Sequence, residues 1–312
     1  MSIKFTLFVI KVINYCYNLQ MKKDVKRNRT KITNDLMHYI YYNIDSAINL
    51  DTLSEDFEIS KFHMHRIFKK EFDSNIYETI KSIRLQKASN LLITNKNSTI
   101  SEISSLCGYG SQTSFIRAFG ARFGMSPKEW RKGGFMEYSN QILKDIPKGL
   151  TSDENYSKLS PTIKKLPTIK VYYIRHHGYS EAIKKCWQKL QTFILSHDIK
   201  NYTQIAIYHD NPIITPLMEC NYVACISIAD EETPDDIKLP SFELDSGVYA
   251  EFNAQGYHED ILKLVQWIYH EWLPSSGYET TTKPPFLIYD ENNFLNENGF
   301  FSLKYYIPII LA

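Results

Sequence analysis

Apolar positions recur at helical spacing through the first part of the chain. In SKFHMHRIFKKEF, residues 60–72, Met64, Ile67, Phe68 and Phe72 fall at i, i+3, i+4 and i+8, which marks the buried face of a helix. Phe62, His65, Arg66 and Lys69 fall on roughly the opposite face, so an exposed aromatic stands among hydrogen-bond donors and positive charge. A shorter helical pattern, Leu50, Leu53 and Phe57, comes before it. The whole arrangement repeats. Shifted by 51 residues, the segment lies on SQTSFIRAFGARF, residues 111–123, with Phe115, Ala118, Phe119 and Phe123 on the core positions and Thr113, Ile116, Arg117 and Gly120 on the outward ones. Its short leading helix, Ile100, Ile103 and Cys107, is offset by 50, which leaves one extra residue for the turn CGYGS, where glycine supplies the positive φ of a tight reversal. Short helix, tight turn and longer helix form a helix-turn-helix, here present twice. Between the copies, Ile76, Ile80, Ile83, Leu91 and Leu92 in NIYETIKSIRLQKASNLLI predict one continuous helix without Pro or Gly.

The pattern weakens from Gly133 to about Leu159, where paired glycines, Pro147, Gly149 and a polar run predict a linker. Beyond it a second repeat has a period of 78: Gly178, Tyr179, Glu181 and Ile183 match Gly256, Tyr257, Glu259 and Ile261. A β-branched segment precedes each (TIKVYYIR, SGVYAEFN), a helical pattern follows, and two strands close each unit, AIYHD with YVACISIA and LIYDE with FSLKYYIPII. The expected fold is an all-α double helix-turn-helix domain joined to an α+β domain of two strand-helix-strand-strand repeats whose sheets share a two-fold-like cleft. The expected boundaries are 1–29 for an N-terminal extension, 30–132 for the helical domain, 133–159 for the linker and 160–312 for the α+β domain.

Charge separates the halves. From Met21 to Lys132 there are 19 Lys and Arg against 12 Asp and Glu, and from Gly133 onward 15 against 23, although the whole chain carries only +1. A basic first half points to a polyanion partner. On the outward faces, Arg66 and Arg117 suit guanine edges, Gln112 an adenine edge, and Phe62 and Ile116 thymine methyls, with Thr113 beside them. His65 suits a base edge or a phosphate, and Lys61, Lys69, Lys70 and Arg122 suit phosphates. A rigid linker helix would set the two units for successive major grooves, about 34–36 Å apart. The five cysteines, odd in number and without a CxxC pair, indicate neither a disulfide framework nor a zinc site and fit a reducing cytoplasm. The pairs His63–His65 and His176–His177 lack metal-ligand spacing, and no local nucleophile motif is present, so no metal, cofactor or catalytic residue is expected. The apolar opening MSIKFTLFVIKVINYCYNLQ is broken by Lys4 and Lys11 and lacks a cleavage site, so neither a membrane span nor a signal peptide is expected. Met21 is the expected start of translation. In the second half, Tyr208, Trp267, Trp272, Phe286 and Tyr289, with Glu251 and Glu271, are the candidate ligand-binding residues: aromatic faces beside carboxylates favour a cation, and a cleft between matched halves is where a small ligand lodges.

Residues 30–132 resemble the DNA-binding domain of AraC-type transcription regulators, through SKFHMHRIFKKEF, IRLQKASNLL and ISEISSLCGYGSQTSFIRAFGARFGMSPKEWR. The resemblance implies seven helices and base contacts at Phe62, His65, Arg66, Gln112, Thr113 and Arg117, while Gly120 and Gly133-Gly134 depart from the family's lysine-rich pattern. Residues 160–312 resemble the GyrI-like effector-binding domain of AraC-type and MerR-type multidrug-responsive regulators, through YIRHHGYSEAI, IAIYHDNPIITP, YVACISI, GVYAEFNAQGYHEDI, WIYHEWLPSSGYE and PPFLIYDENNF. Leu287 stands where that family often has Glu, which tilts the expected effector toward a neutral or hydrophobic molecule. The protein expected from both resemblances is a cytoplasmic regulator that binds duplex DNA and a small amphipathic or hydrophobic effector. Two rival readings make the second domain an enzyme, with Glu251 or Glu271 as general base, or a module that recruits RNA polymerase or another protein.

Overall fold

A helix over 29–42 (α1) opens the computed structural model, which describes residues 29–144 and 156–312. The N-terminal extension expected over 1–29, with its start at Met21, and the middle of the expected linker lie outside these residues. Seven further helices follow: α2 (Leu50–Asp56), α3 (Lys61–Phe72), α4 (Ile76–Thr94), α5 (Ile100–Leu106), α6 (Gln112–Phe123), α7 (Pro127–Glu129) and α8 (Phe135–Lys144). Polar side chains start them by accepting otherwise unpaired amide protons: Asn49 before α2, Ser60 before α3, Thr99 before α5 and Ser111 before α6. Left-handed residues stop α3 at Asp73 and α6 at Gly124. The stretch from Gly133, read as linker, carries helical structure as far as Lys144. Gly133, at φ 116°, bends the chain through a π-turn, and α8 then continues and buries Phe135 and Ser139.

The two helix-turn-helix reversals share one hydrogen-bond pattern. Glu58 N donates to Glu55 O and Ile59 N to Ser54 O, both at 3.0 Å; in the second copy Gly108 N donates to Ser105 O at 2.9 Å and Tyr109 N to Ser104 O at 3.0 Å. Both turns need a residue with positive φ, supplied by Glu58 at 52° and Gly108 at 73°. The second site is also crowded. A Cβ on Gly108 would stand 2.6 Å from the Ile44 carbonyl oxygen and 2.7 Å from the Arg84 guanidinium, which itself donates to Ile44 O and Ser46 O.

In the second half, β2 (Ile169–His177), α9 (Ala182–Ser196), β3 (Tyr202–Tyr208) and β4 (Asn221–Ile228) are followed by β6 (Gly247–Tyr257), α10 (His258–Trp267), β8 (Phe286–Glu291) and β9 (Phe300–Leu311). Two strands lie outside that pattern, β1 (Thr162–Leu166) and β5 (Ser241–Leu244), and a short β7 (Tyr278–Thr280) pairs with the end of β9. One antiparallel sheet results, not two, in the order β1-β6-β9-β8-β3-β4-β2-β5. It reads alike from either end about the central β8–β3 pair. The leading strands cross over: β1, which precedes β2, pairs with β6, and β5, which precedes β6, pairs with β2.

Strand alternation divides the side chains between the two faces. Ala206, Tyr208, Phe252, Leu287, Tyr289 and Tyr305 belong to the core that includes Trp187 of α9 and Leu264 of α10. Ile205, Ile207, Val223, Tyr249, Phe286 and Tyr306 form a second core.

Two compact units divide the fold, one taking in residues up to Asn43 and Ile48–Lys81, the other Ile44–Ala47 and Ser82–Ala312. The division falls inside α4. In the second unit α4 is buried on every side, with Leu85, Gln86, Lys87, Ala88 and Ser89 all at most 5% exposed. Its polar groups find partners in the α+β domain. Gln86 donates to the Thr215 hydroxyl, Asn211 Nδ2 donates to Asn90 Oδ1 at 2.9 Å, and Asn95 exchanges bonds with the Thr280 backbone at 3.1 and 3.2 Å. Among the described residues no helix is long and apolar enough to cross a membrane.

Gly108→Ala should destabilise the protein by about 2 kcal/mol or more, from left-handed strain plus displacement of Arg84. Glu58→Gly, at the matching turn, should stay within about 1 kcal/mol of the parent. Urea unfolding of both variants checks the contrast.

Candidate nucleic-acid interface and ligand cavity

The outward stripe of α3 lies over a buried one. Met64, Ile67 and Phe68 are buried, while Lys61, Phe62, Arg66 and Lys69 are exposed, and Phe62 leaves 79% of its surface in solvent. An aromatic side chain held open at that level has no packing role in the helix and is free to meet a partner. His65 is half-buried, its ring 5.5 Å from that of Tyr77. Two of the cations are engaged locally: Lys61 with Asp51, and Arg66, whose Nη2 lies 3.0 Å from His63 Nδ1.

α6 has the same construction. Phe115, Phe119 and Phe123 are buried in a stack with Trp130, whose Nε1 donates to Ser89 O at 3.0 Å and so ties the helix base to α4. Gln112, Thr113, Ile116 and Arg117 are exposed. Near the helix end, Arg122, read as a phosphate contact, pairs with Glu219 at 3.0 Å.

The seven candidate ligand-binding residues do not form one site. Tyr208 and Tyr289 share an aromatic cluster on the helix side of the sheet: Tyr208 lies 5.4 Å from Tyr222, and Tyr289 lies 5.6 Å from Trp187, which donates to the Tyr222 hydroxyl at 3.0 Å. Burial raises the Tyr208, Tyr222 and Tyr289 hydroxyls well above their ordinary range, so they stay protonated. Trp267 and Trp272 pack elsewhere, on Phe252, at 5.9 and 4.8 Å. Glu271 is exposed.

Glu251 and Phe286 point to the opposite face. There Phe286 stacks on Tyr306 at 4.9 Å, and Glu251 accepts from Lys164 at 2.8 Å through both oxygens and from the Tyr306 hydroxyl at 2.6 Å. Burial raises the Glu251 carboxyl, but Lys164 and Tyr306 outweigh it and hold it below the usual carboxylate range. Its charge is balanced within the fold. Leu287 is fully buried in the helix-side core.

A cavity of about 10 Å³ lies beside Tyr208. Its wall includes Tyr269 and Tyr305 of the α+β domain and Lys87 and Asn90 of α4. Of the seven candidates only Tyr208 reaches it. Lys87 and Asn90 were not singled out because they are polar residues set along the apolar stripe of α4, Lys87 four residues and Asn90 seven after Ile83, where the pattern was read only through its apolar members.

Comparison with known proteins agrees with this architecture. A helix-turn-helix domain model matches residues 53–133 and a model of the GyrI-like small molecule binding domain matches residues 159–310. The Transposon Tn10 TetD protein of Escherichia coli is 30% identical over 125 residues, covering 40% of this chain and 89% of TetD. The Xylose operon regulatory protein of Escherichia coli K12 is 36% identical over 95 residues, 30% of this chain; the match spans only 24% of that protein. The C-terminal domain of AraT, a response regulator from Geobacillus stearothermophilus, aligns with a TM-score of 0.31 and 27% identity over 32% of this chain and 84% of that one. Paired helix-turn-helix units beside a small-molecule-binding domain define a ligand-sensing DNA-binding protein. The chain belongs to the AraC family of transcription regulators and carries a GyrI-like domain at its C-terminal end.

Beside Glu271, His270 turns its ring against Phe135 of α8 at 4.8 Å, with Nε2 buried and unbonded. Burial lowers its pKa to about 4, so the folded protein holds it neutral while the unfolded chain takes a proton below the ordinary value of 6.5. The unfolded state binds the extra proton between those two values, and stability should fall as pH drops through that window. His270→Phe should flatten this acid limb, which urea midpoints measured between about pH 7 and about pH 4 would show.

Proposed function

We propose that the chain binds one asymmetric duplex DNA site through the exposed faces of α3 and α6, and that a small amphipathic effector in the α+β domain shifts this activity. The observation that carries the reading is the pair of outward stripes, each laid over a buried apolar stripe and each mixing a cation and apolar atoms with an uncharged hydrogen-bonding group, His65 in α3 and Gln112 and Thr113 in α6. Phe62 at 79% exposure is its sharpest point. Arg66 and Arg117 are assigned to base edges, with Gln112, Thr113 and Ile116 beside Arg117, and Phe62 and His65 beside Arg66. Lys61 and Lys69 are assigned to phosphates, where Lys61 exchanges Asp51 for the DNA backbone. The reading is non-enzymatic and cytoplasmic, and RNA polymerase is the protein partner it implies. TetD and the xylose operon protein support it as relatives of the DNA-binding half.

Binding to fragments from around the protein's own gene, with unrelated duplex as competitor, tests the reading. One fragment should bind at least about a thousandfold more tightly than competitor. At that site Arg66→Ala and Arg117→Ala should each cost about 1–3 kcal/mol, while Lys69→Ala should weaken all duplexes alike and reduce the salt slope by about 1. Equal binding of every fragment would reduce α3 and α6 to electrostatic contacts.

A further inference from the structure

Arg84 of α4 joins separate segments of the second unit. Its Nε donates to Ile44 O at 3.2 Å and its Nη2 to Ser46 O at 2.6 Å, so the loop Ile44–Ala47 belongs to this unit although the residues on either side of it do not. The same guanidinium lies against Gly108. A Cβ at that position would stand 2.7 Å from Nη2, 2.8 Å from Cζ and 2.6 Å from Ile44 O. Gly108 thus rests in a socket formed by the arginine and by the carbonyl that the arginine holds. Burial lowers the Arg84 pKa, but a guanidinium keeps its proton in a protein, so both bonds stay charge-assisted. From the socket the contacts run straight into a reading helix. Tyr109, next along the chain, packs its ring 5.2 Å from that of Phe115 on the buried face of α6, and Phe115 leads through Phe119 to Trp130. At the matching turn of the first copy, Glu58 is exposed to solvent.

We propose that Arg84 is a positioning residue for DNA reading by α6: it fixes the turn from which α6 departs and so holds Gln112, Thr113 and Arg117 at their base edges, while α3 is set within its own unit. This rests on the assignment of α6 to a DNA groove and adds a difference between the two reading helices. Arg84 acts from behind the helix, through Gly108 and Tyr109. A helix whose departure angle is fixed in advance loses less freedom on binding and adapts less to a wrong base, so α6 is the stricter reader. Lysine is no substitute here, because one ammonium lacks the planar fork that reaches two carbonyls and still fills the space under Gly108.

The full chain tests this as parent, Arg84→Met and Gly108→Ala proteins, each carrying Arg66→Ala, Arg117→Ala or neither. Binding to the preferred genomic fragment and to unrelated duplex is measured under conditions where circular dichroism shows each protein folded. Arg84→Met should weaken specific binding at least about tenfold and leave non-specific affinity and the salt slope unchanged. In that background Arg117→Ala should cost less than about twofold more, while Arg66→Ala keeps the factor it has in the parent. Gly108→Ala, which displaces the guanidinium from the other side, should give the same pattern. A full Arg117→Ala cost in the folded Arg84→Met protein overturns the proposal. So does an Arg66→Ala factor that collapses together with that of Arg117→Ala, which marks a general structural role. A salt slope smaller by about 1 overturns it as well, by making Arg84 a phosphate contact. Failure of both socket variants to fold makes Arg84 a stability residue and overturns it too. In all these cases the parent still prefers one fragment, and the DNA-binding reading stands. A parent that binds every fragment alike removes both.

Discussion

From Leu85 to Asn95, with Asn90 alone partly exposed, α4 and the residue that follows it are buried, and the polar groups they carry there must be matched by protein. Gln86 meets Thr215, Asn90 meets Asn211, and Asn95 meets the Thr280 backbone in both directions. A buried donor or acceptor that loses its partner costs about 1–3 kcal/mol, more than an average bond contributes when formed. That asymmetry makes the contact specific. A slide of α4 by one residue along the sheet would orphan several groups together, so the helix has one well-defined seat. Trp130 then fixes α6 to the same helix through Ser89. The second helix-turn-helix and the ligand domain thus form one body, while the first helix-turn-helix is a unit of its own.

The helical half was legible because its rules are local. Stripes at i, i+3 and i+4 put Met64, Ile67 and Phe68 inside and Phe62 and Arg66 outside, and the same rule worked at Phe115 and Arg117. Glycine in CGYGS was also readable as a turn, although Glu58 adopts the same backbone conformation in the first copy without any residue that advertises it. The strand and helix runs of the second half could be read from alternation and periodicity. Their pairing could not, because β1 and β5 find partners far along the chain and carry little pattern of their own.

The ligand-binding residues were the least legible for a related reason. Aromatic content picked out side chains that pack inside the fold, but alternation sends Tyr289 and Phe286 to opposite faces of the sheet. Glu251 looked available as a charge, and only the fold shows Lys164 and Tyr306 closed over it. Lys87 is the converse. It lies four residues after Ile83 and four before Leu91, on the apolar stripe of α4, so the periodicity pointed to its burial and only its residue type disguised it.

The crossed leading strands have a consequence for how the second half comes into being. β1 is completed by β6 and β5 by β2, so each repeat supplies an edge that only the other can close. Lys164 and Glu251, which seal one of these edges, are 87 residues apart in the chain. Neither repeat is a folding unit by itself, and the sheet closes only after long loops have been brought together, a topology associated with slow, cooperative folding. On a ribosome the first helix-turn-helix emerges early and has only local contacts to make. The ligand domain, and with it the outer wall of α4, must wait for β9 to appear, so the newly made chain carries an exposed α4 until that strand has emerged.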